Sequence, residues 1–159
     1  MPFDPKLVEA KLALEWIPSD EIPTIACDAL EAGLDGPAIR RLASLLSPTY
    51  FEVRDVLPEA MQEMGLRIIS KRDGAVRLAE KSAKELLLLD DKDLLTRGKT
   101  FERLYIEADY PRELQTIGFL DDEICIGQYQ ASGERESAKM VRRLLEDFLF
   151  SVKEETTSD

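Results

Sequence analysis

Apolar residues recur at helical spacing along almost the whole chain, and this pattern restricts the possible folds more than any other feature. Between Ile22 and Gly33, for example, Ile22, Ile25 and Ala29 follow one another at intervals of three or four residues. Such intervals place side chains on one face of an α-helix, whereas a half-buried strand alternates every second residue. Proline is tolerated in the first turn of a helix, and glycine favours the position just after its last turn. The sequence therefore predicts an all-α fold.

The same start and stop signals predict about seven or eight helices. The fourth of them contains Pro58, which has no backbone N–H, so we expect that helix to kink there or to begin near Asp55. Residues 66–72 are expected to form a loop, although Leu66–Ile69 has the character of an extended segment. A single short strand without a partner does not make a sheet.

A stripe of small and aromatic residues predicts one long helix over residues 92–109. Its members follow the four-three-four-three spacing of a helix that packs against another helix, and Gly98 within it indicates a close approach. The stripe consists of Leu94, Gly98, Phe101, Tyr105 and Ala108.

For the architecture, we expect a compact orthogonal multi-helix bundle in one domain over residues 1–152, followed by a polar tail over residues 153–159. A short solenoid of helix pairs is the alternative, because residues 31–34 and 63–66 have similar sequences and lie 32 residues apart, near the period of helix-pair repeats. Both segments also have the composition of helix ends that are closed by glycine.

The chain contains no histidine, which excludes Ser-His-Asp and Cys-His hydrolases and histidine-ligated metal sites. Neither of the glycine-rich phosphate-binding motifs occurs. The acidic runs 90–93 and 121–123 lack the alternating ligands of a calcium loop, and acids at a helix start more often bond to its free N–H groups. The sequence predicts no catalytic residues, no cofactor and no metal ligands.

The two cysteines, Cys27 and Cys125, lie far apart and outside any C-x-x-C motif. We expect two reduced thiols that serve as small apolar side chains, rather than a disulfide or a metal site. Cys27 lies in an apolar helix with Ile25 and Leu30, and we expect it to pack in the core.

The net charge of −11 disfavours binding to nucleic acid or to anionic lipid, because the chain repels phosphate groups. No apolar run approaches the ~20 residues that span a bilayer, and the first residues do not resemble a signal peptide. We expect a cytoplasmic protein with no membrane contact.

Charge is unevenly distributed. Arg67–Lys84 carries six basic residues against two acids, whereas Glu102–Glu123 carries seven acids against two arginines. One interpretation is that these charged residues lie on solvated helix faces and form i, i+4 ion pairs, such as Glu80 with Lys84. The other is complementary surfaces for a partner, for which the candidate binding residues are Glu102, Glu107, Asp109, Glu113, Asp121, Asp122 and Glu123.

Several segments resemble a group of small uncharacterised bacterial all-helical proteins. The resemblance rests on the segment Ile22–Ala43, on Gly98-x-x-Phe101, on Tyr110-Pro111-Arg112-Glu113-Leu114 and on Ile117-Gly118-Phe119 followed by acids. It implies a bacterial, intracellular, all-α domain and lends no activity to these positions.

From these observations we expect a small acidic protein, not an enzyme, that acts through protein–protein contact with a partner of basic charge. An adaptor, a regulator or a toxin-immunity protein would have this character. The alternative is a carboxylate-dependent enzyme or a small-ligand-binding helical domain, which would need a cleft with converging polar side chains.

Overall fold

The computed structural model describes residues 2–129 and 133–157, and these residues form helices joined by turns and loops, without a strand. The prediction of an all-α multi-helix fold is therefore confirmed. The chain divides into two compact units, Met1–Ser70 and Lys71–Asp159, named here the N-terminal unit and the C-terminal unit. The single domain expected over residues 1–152 stays a prediction.

The N-terminal unit consists of α1 (Pro5–Ala13), α2 (Ile22–Glu31), α3 (Pro37–Ala43) and α4 (Tyr50–Glu63). A proline stands in the first turn of each of the first three helices. α4 instead begins with a capping box, in which the side chains of Thr49 and Glu52 each accept a hydrogen bond from the other's backbone N–H. The bond from the Thr49 backbone is the main cause that lowers the pKa of the Glu52 carboxyl.

α4 continues through Pro58, so a start near Asp55 is wrong. A proline at this position cannot donate to the carbonyl of Arg54, four residues earlier. Pro58 and Arg54 are both exposed, and water can bond to a carbonyl on this side of the helix. The buried side of α4 carries Val53, Val56 and Ala60, and the packing of this side offsets the lost hydrogen bond.

α2 and α4 end in the same way. Gly33 and Gly65 have φ angles of 88° and 69°, the left-handed conformation that glycine adopts at little cost. The N–H of the next residue, Leu34 or Leu66, donates to the carbonyl five residues back, at 3.0 and 2.9 Å. This is the hydrogen bond of a Schellman motif. The similarity of residues 31–34 and 63–66 thus coincides with two equivalent helix ends.

The side chain of Glu63, the last residue of α4, caps the N-terminus of α3. Its carboxylate accepts hydrogen bonds from the N–H groups of Ala38 (3.1 Å) and Ile39 (2.9 Å). The N-cap of α3 is Gly36, which has no side chain to accept them, so the acceptor comes from a different helix. This bond ties α3 to α4. The core around it consists of Val8, Ile22, Ala26, Ala29, Ala38, Ile39, Leu42, Val53, Val56, Ala60, Met64 and Leu66.

The C-terminal unit begins at α5 (Lys71–Leu86) and continues with α6 (Asp91–Arg97), a 3₁₀ turn (Gly98–Thr100) and α7 (Phe101–Glu107). A second 3₁₀ turn (Arg112–Leu114) precedes α8 (Leu120–Tyr129) and the long α9 (Gly133–Thr157). Residues 153–157, which were expected to belong to the polar tail, are the last residues of α9.

The single helix predicted over residues 92–109 is wrong, although the burial of its stripe is confirmed. All five stripe residues are buried, but the 3₁₀ turn at Gly98 separates α6 from α7. A Cβ on Gly98 would lie 3.1 Å from Cδ1 of Ile124 on α8. Glycine leaves α-helical geometry more easily than other residues, and the tighter turn accommodates this close approach.

Arg142 connects α9 to the segment between α5 and α6. Its guanidinium donates to the carbonyls of Leu87 (3.2 Å) and Leu89 (2.8 Å) and to the carboxylate of Asp91 (3.0 Å). The two carbonyls lie just after the end of α5, where helices leave acceptors without internal partners. Arg142 therefore fixes the path of the chain into α6. The large side chains that are fully buried in this unit are Leu94, Phe101, Leu104, Leu114, Ile117, Leu120, Ile124, Val141 and Leu145.

The Glu63 contact predicts a specific loss of stability. Glu63→Ala leaves two N–H groups of α3 without their acceptor, so the free energy of unfolding should fall by about 1–3 kcal/mol. Trp16, the single tryptophan, reports on the N-terminal unit when urea unfolding is followed by fluorescence. Glu59→Ala is the control, because Glu59 is exposed on the same helix, and it should change stability by less than about 0.5 kcal/mol. Equal losses in the two variants would contradict the capping role.

Candidate functional site

The structure separates the seven predicted partner-binding acids into two groups. Three are partly or mostly buried and form ion pairs inside the C-terminal unit, namely Glu107 with Arg103, Glu113 with Arg72 and Asp121 with Lys99. The other four, Glu102, Asp109, Asp122 and Glu123, are exposed. These four exposed acids can therefore contact a partner without breaking any of the three ion pairs.

Glu113 illustrates the internal use of a carboxylate. Its side chain is 9% exposed and pairs with the guanidinium of Arg72 on α5. The pair joins the acidic segment to the basic segment at one point. Its second oxygen, Oε2, is buried without a hydrogen-bond partner, which makes the Arg72 contact the main compensation for burying this charge.

The basic segment also forms local pairs along α5. The predicted pair of Glu80 and Lys84 is confirmed, with 2.7 Å between the carboxylate and the ammonium. Lys81 and Glu85 form a second i, i+4 pair at 3.2 Å. Such exposed pairs contribute about 0.3–0.5 kcal/mol each. Much of the positive charge of α5 is therefore matched by neighbouring carboxylates.

Two exposed aromatic rings lie on one buried ring in the C-terminal unit. Tyr110 is 61% exposed and Phe119 is 49% exposed, whereas Tyr105 beneath them is buried. The rings of Tyr110 and Phe119 contact that of Tyr105 edge-on, with centroid distances of 5.1 and 5.3 Å. Because both contact the same ring, they form one surface, named here the aromatic patch (Tyr105, Tyr110 and Phe119).

The backbone that presents Tyr110 is strained. Asp109 and Tyr110 have φ angles of 60° and 58°, a region that residues other than glycine seldom adopt. The N–H of Tyr110 donates to the carbonyl of Tyr105 at 2.8 Å, which gives the end of α7 the same closure as α2 and α4. At the ends of α2 and α4 the residue with the left-handed conformation is glycine, whereas at the end of α7 it is Asp109. Two consecutive residues held in this conformation cost about 1–3 kcal/mol each, and packing of Tyr110 on Tyr105 offsets part of that cost.

Gly118 allows the ring of Phe119 to contact the ring of Tyr105. A Cβ at this position would lie 2.6 Å from Cγ and Cδ1 of Tyr105, a distance that two carbon atoms do not tolerate. Only glycine lets the chain pass so close to α7, and the next residue, Phe119, then contacts the Tyr105 ring. The residues of the patch are visible in the sequence as the Tyr110-Pro111 and Gly118-Phe119 pairs, but there they contribute only to the resemblance given above.

Exposed carboxylates flank the aromatic patch. Asp109 directly precedes Tyr110, while Asp122 and Glu123 lie in the first turn of α8, just after Phe119. The N–H of Glu123 donates to the carbonyl of Phe119 at 3.2 Å, so these residues share one helical turn. Arg112 is an exposed cation in the same segment. Aromatic area beside exposed carboxylates can bind a group that is both cationic and apolar.

No group of three or more acidic or cysteine side chains within residues 2–129 and 133–157 could hold a metal ion. A shallow depression of about 300 Å³ on α7 is lined by Lys99, Glu102, Arg103, Ile106 and Glu107, and two of these, Arg103 and Glu107, are paired with each other. Among the helices that the structure describes, none is both long and apolar enough to cross a bilayer.

Cys27 and Cys125 are both free thiols and both are exposed, so the core packing expected of Cys27 is wrong. The neighbouring residues Ala26 and Ile124 occupy the buried positions of α2 and α8. A helix turns by about 100° per residue, which directs each adjacent cysteine away from the core.

A scan of the chain against protein-family models and searches against curated proteins and solved structures find no match. They therefore assign no family to the chain, and the resemblance to small bacterial helical proteins stays a prediction.

The contact between Gly118 and Tyr105 predicts that even one added methyl group disturbs the patch. Gly118→Ala should lower the free energy of unfolding by about 1–3 kcal/mol through overpacking. It should also weaken the near-ultraviolet circular dichroism of the tyrosines, because the ring of Tyr105 must move. Thr116→Ala is the control, since Thr116 is exposed in the same segment and should change stability by less than about 0.5 kcal/mol. A Gly118→Ala variant with parental stability and spectrum would contradict the close packing.

Proposed function

We propose that this protein is a non-enzymatic binding protein that holds a basic protein partner on the aromatic patch and the carboxylates around it. The observation that carries the proposal is the pair of exposed rings, Tyr110 and Phe119, fixed on Tyr105 and flanked by exposed acids. Aromatic residues are enriched where proteins bind one another. Solvent-exposed aromatic area that is held in place also binds with little loss of side-chain entropy.

Charge supports a basic partner. The exposed carboxylates of Asp109, Asp122 and Glu123 lie beside the patch, and the whole chain carries a net charge of −11. Complementary charge accelerates the encounter of two proteins and disfavours partners of the same sign. The same charge disfavours nucleic acid and anionic lipid as partners.

The biological roles that match this activity are those of an adaptor, a regulator or an immunity protein that neutralises a toxin. Each needs a rigid surface and a charge pattern that selects one partner, and none needs catalytic groups. We place this activity in the cytoplasm of a bacterium, in line with the resemblance given above.

The test compares two triple variants with the same net charge. Asp109→Asn, Asp122→Asn and Glu123→Gln together neutralise the acids beside the patch, and asparagine tolerates the left-handed backbone at position 109. Each substitution removes one negative charge, so the net charge of −11 becomes −8. We expect association with a co-purified basic partner to slow by about tenfold at low salt and to differ less at high salt, where charges are screened beyond about 3 Å.

The control neutralises exposed acids of the N-terminal unit, with Asp20→Asn, Glu31→Gln and Glu59→Gln. Its net charge is the same, and its association rate should stay within about twofold of the parent, because steering depends on charge near the contact. Surface plasmon resonance measures both rates. Equal slowing in the two variants, or a partner whose association ignores salt, would contradict a binding site at the patch.

A further inference from the structure

We propose that the aromatic patch binds an arginine side chain of the partner, with the guanidinium lying against the exposed rings and paired to a neighbouring carboxylate. The inference rests on the proposed function and names the chemical group that the site selects. It follows from the combination of exposed aromatic rings and exposed acids on one surface. A single cation there can interact with a ring face and also pair with a carboxylate.

The rings supply the first attraction. Tyr110 and Phe119 touch Tyr105 edge-on, and each keeps about half or more of its surface in contact with solvent. The face of an aromatic ring carries partial negative charge and attracts a cation that lies within about 6 Å of its centroid. In the described residues, the structure places no cation of the chain itself over either ring.

The carboxylates supply the second attraction. Asp109 adjoins Tyr110, and Asp122 and Glu123 follow Phe119 within one helical turn. A guanidinium is planar, so it can lie flat on a ring while its N–H groups donate to a carboxylate at its edge. An ammonium is a compact and strongly hydrated charge that makes the second contact but gains less from the first.

The N-terminal unit contains the same arrangement within one chain. The guanidinium carbon of Arg54 lies 5.2 Å from the centroid of the exposed Phe51 ring. The same guanidinium donates to the carboxylate of Asp55 at 3.2 and 3.3 Å. Phe119 has an exposed ring and nearby acids in the same way, but the guanidinium that completes the arrangement must come from outside.

The experiment titrates the full chain with two short fluorescein-labelled peptides, one of alternating arginine and leucine and one of alternating lysine and leucine. Both carry the same charge and the same apolar side chains. Fluorescence anisotropy should give a Kd for the arginine peptide that is about two- to fivefold lower than for the lysine peptide, the ratio expected from a cation–π contact at an exposed site.

Tyr110→Leu and Phe119→Leu identify the source of this preference. Leucine keeps apolar contact but has no ring, so in each variant the ratio of the two Kd values should approach one. Tyr50→Leu is the matched control, because Tyr50 is 64% exposed and also lies edge-on to another ring, and it should keep the preference of the parent. Circular dichroism verifies that the variants remain folded.

The outcomes separate this inference from the proposed function. If both peptides bind equally well, and binding still depends on Asp122 and Glu123, the arginine inference is overturned while the acidic binding surface stands. If neither peptide binds, or if a peptide of alternating glutamate and leucine binds as well as the basic ones, both are overturned. Loss of the preference in the Tyr50→Leu control would likewise overturn the assignment to the patch.

Discussion

The close approach of Gly118 to the ring of Tyr105 is the contact on which the proposed binding surface depends. This approach brings the chain between α7 and α8 within van der Waals distance of α7. The next residue, Phe119, therefore contacts the ring of Tyr105, which Tyr110 also contacts. Without that contact the two exposed rings would have no common support. The strained backbone at Asp109 and Tyr110 is the conformational cost of this arrangement, and strain of this kind is often concentrated at functional sites.

Charge serves two purposes in the C-terminal unit. Carboxylates such as Glu113 and Asp121 are mostly buried and form ion pairs with cations of the same unit. Others, such as Asp122 and Glu123, remain exposed beside the patch. The division explains how an acidic segment can be part of the structure and still present charge to a partner. It also means that the number of acids in a segment overstates the charge that a partner meets.

Sequence pattern was sufficient for features that depend on local geometry. The helical spacing, the glycine-closed ends at Gly33 and Gly65 and the Glu80–Lys84 pair involve residues within one or two turns. Features set by tertiary contacts were not predictable. The cap that Glu63 provides joins residues 24 and 25 positions apart, and the aromatic patch depends on a left-handed aspartate in a position where helices prefer glycine. The exposure of the cysteines follows from which helix face meets the core, and Cys27 directly follows a buried alanine.

If the aromatic patch binds a basic partner in cells, site-specific photo-cross-linking captures that contact. A p-benzoylphenylalanine placed at Tyr110 or at Phe119 forms a covalent bond only with a molecule within reach of that side chain. We expect an adduct from each position whose cross-linked peptide is rich in arginine, and none from Glu59, which is exposed on α4. Adducts that form from Glu59 but from neither patch position, or a cross-linked peptide of acidic composition, would contradict binding of a basic partner at the patch.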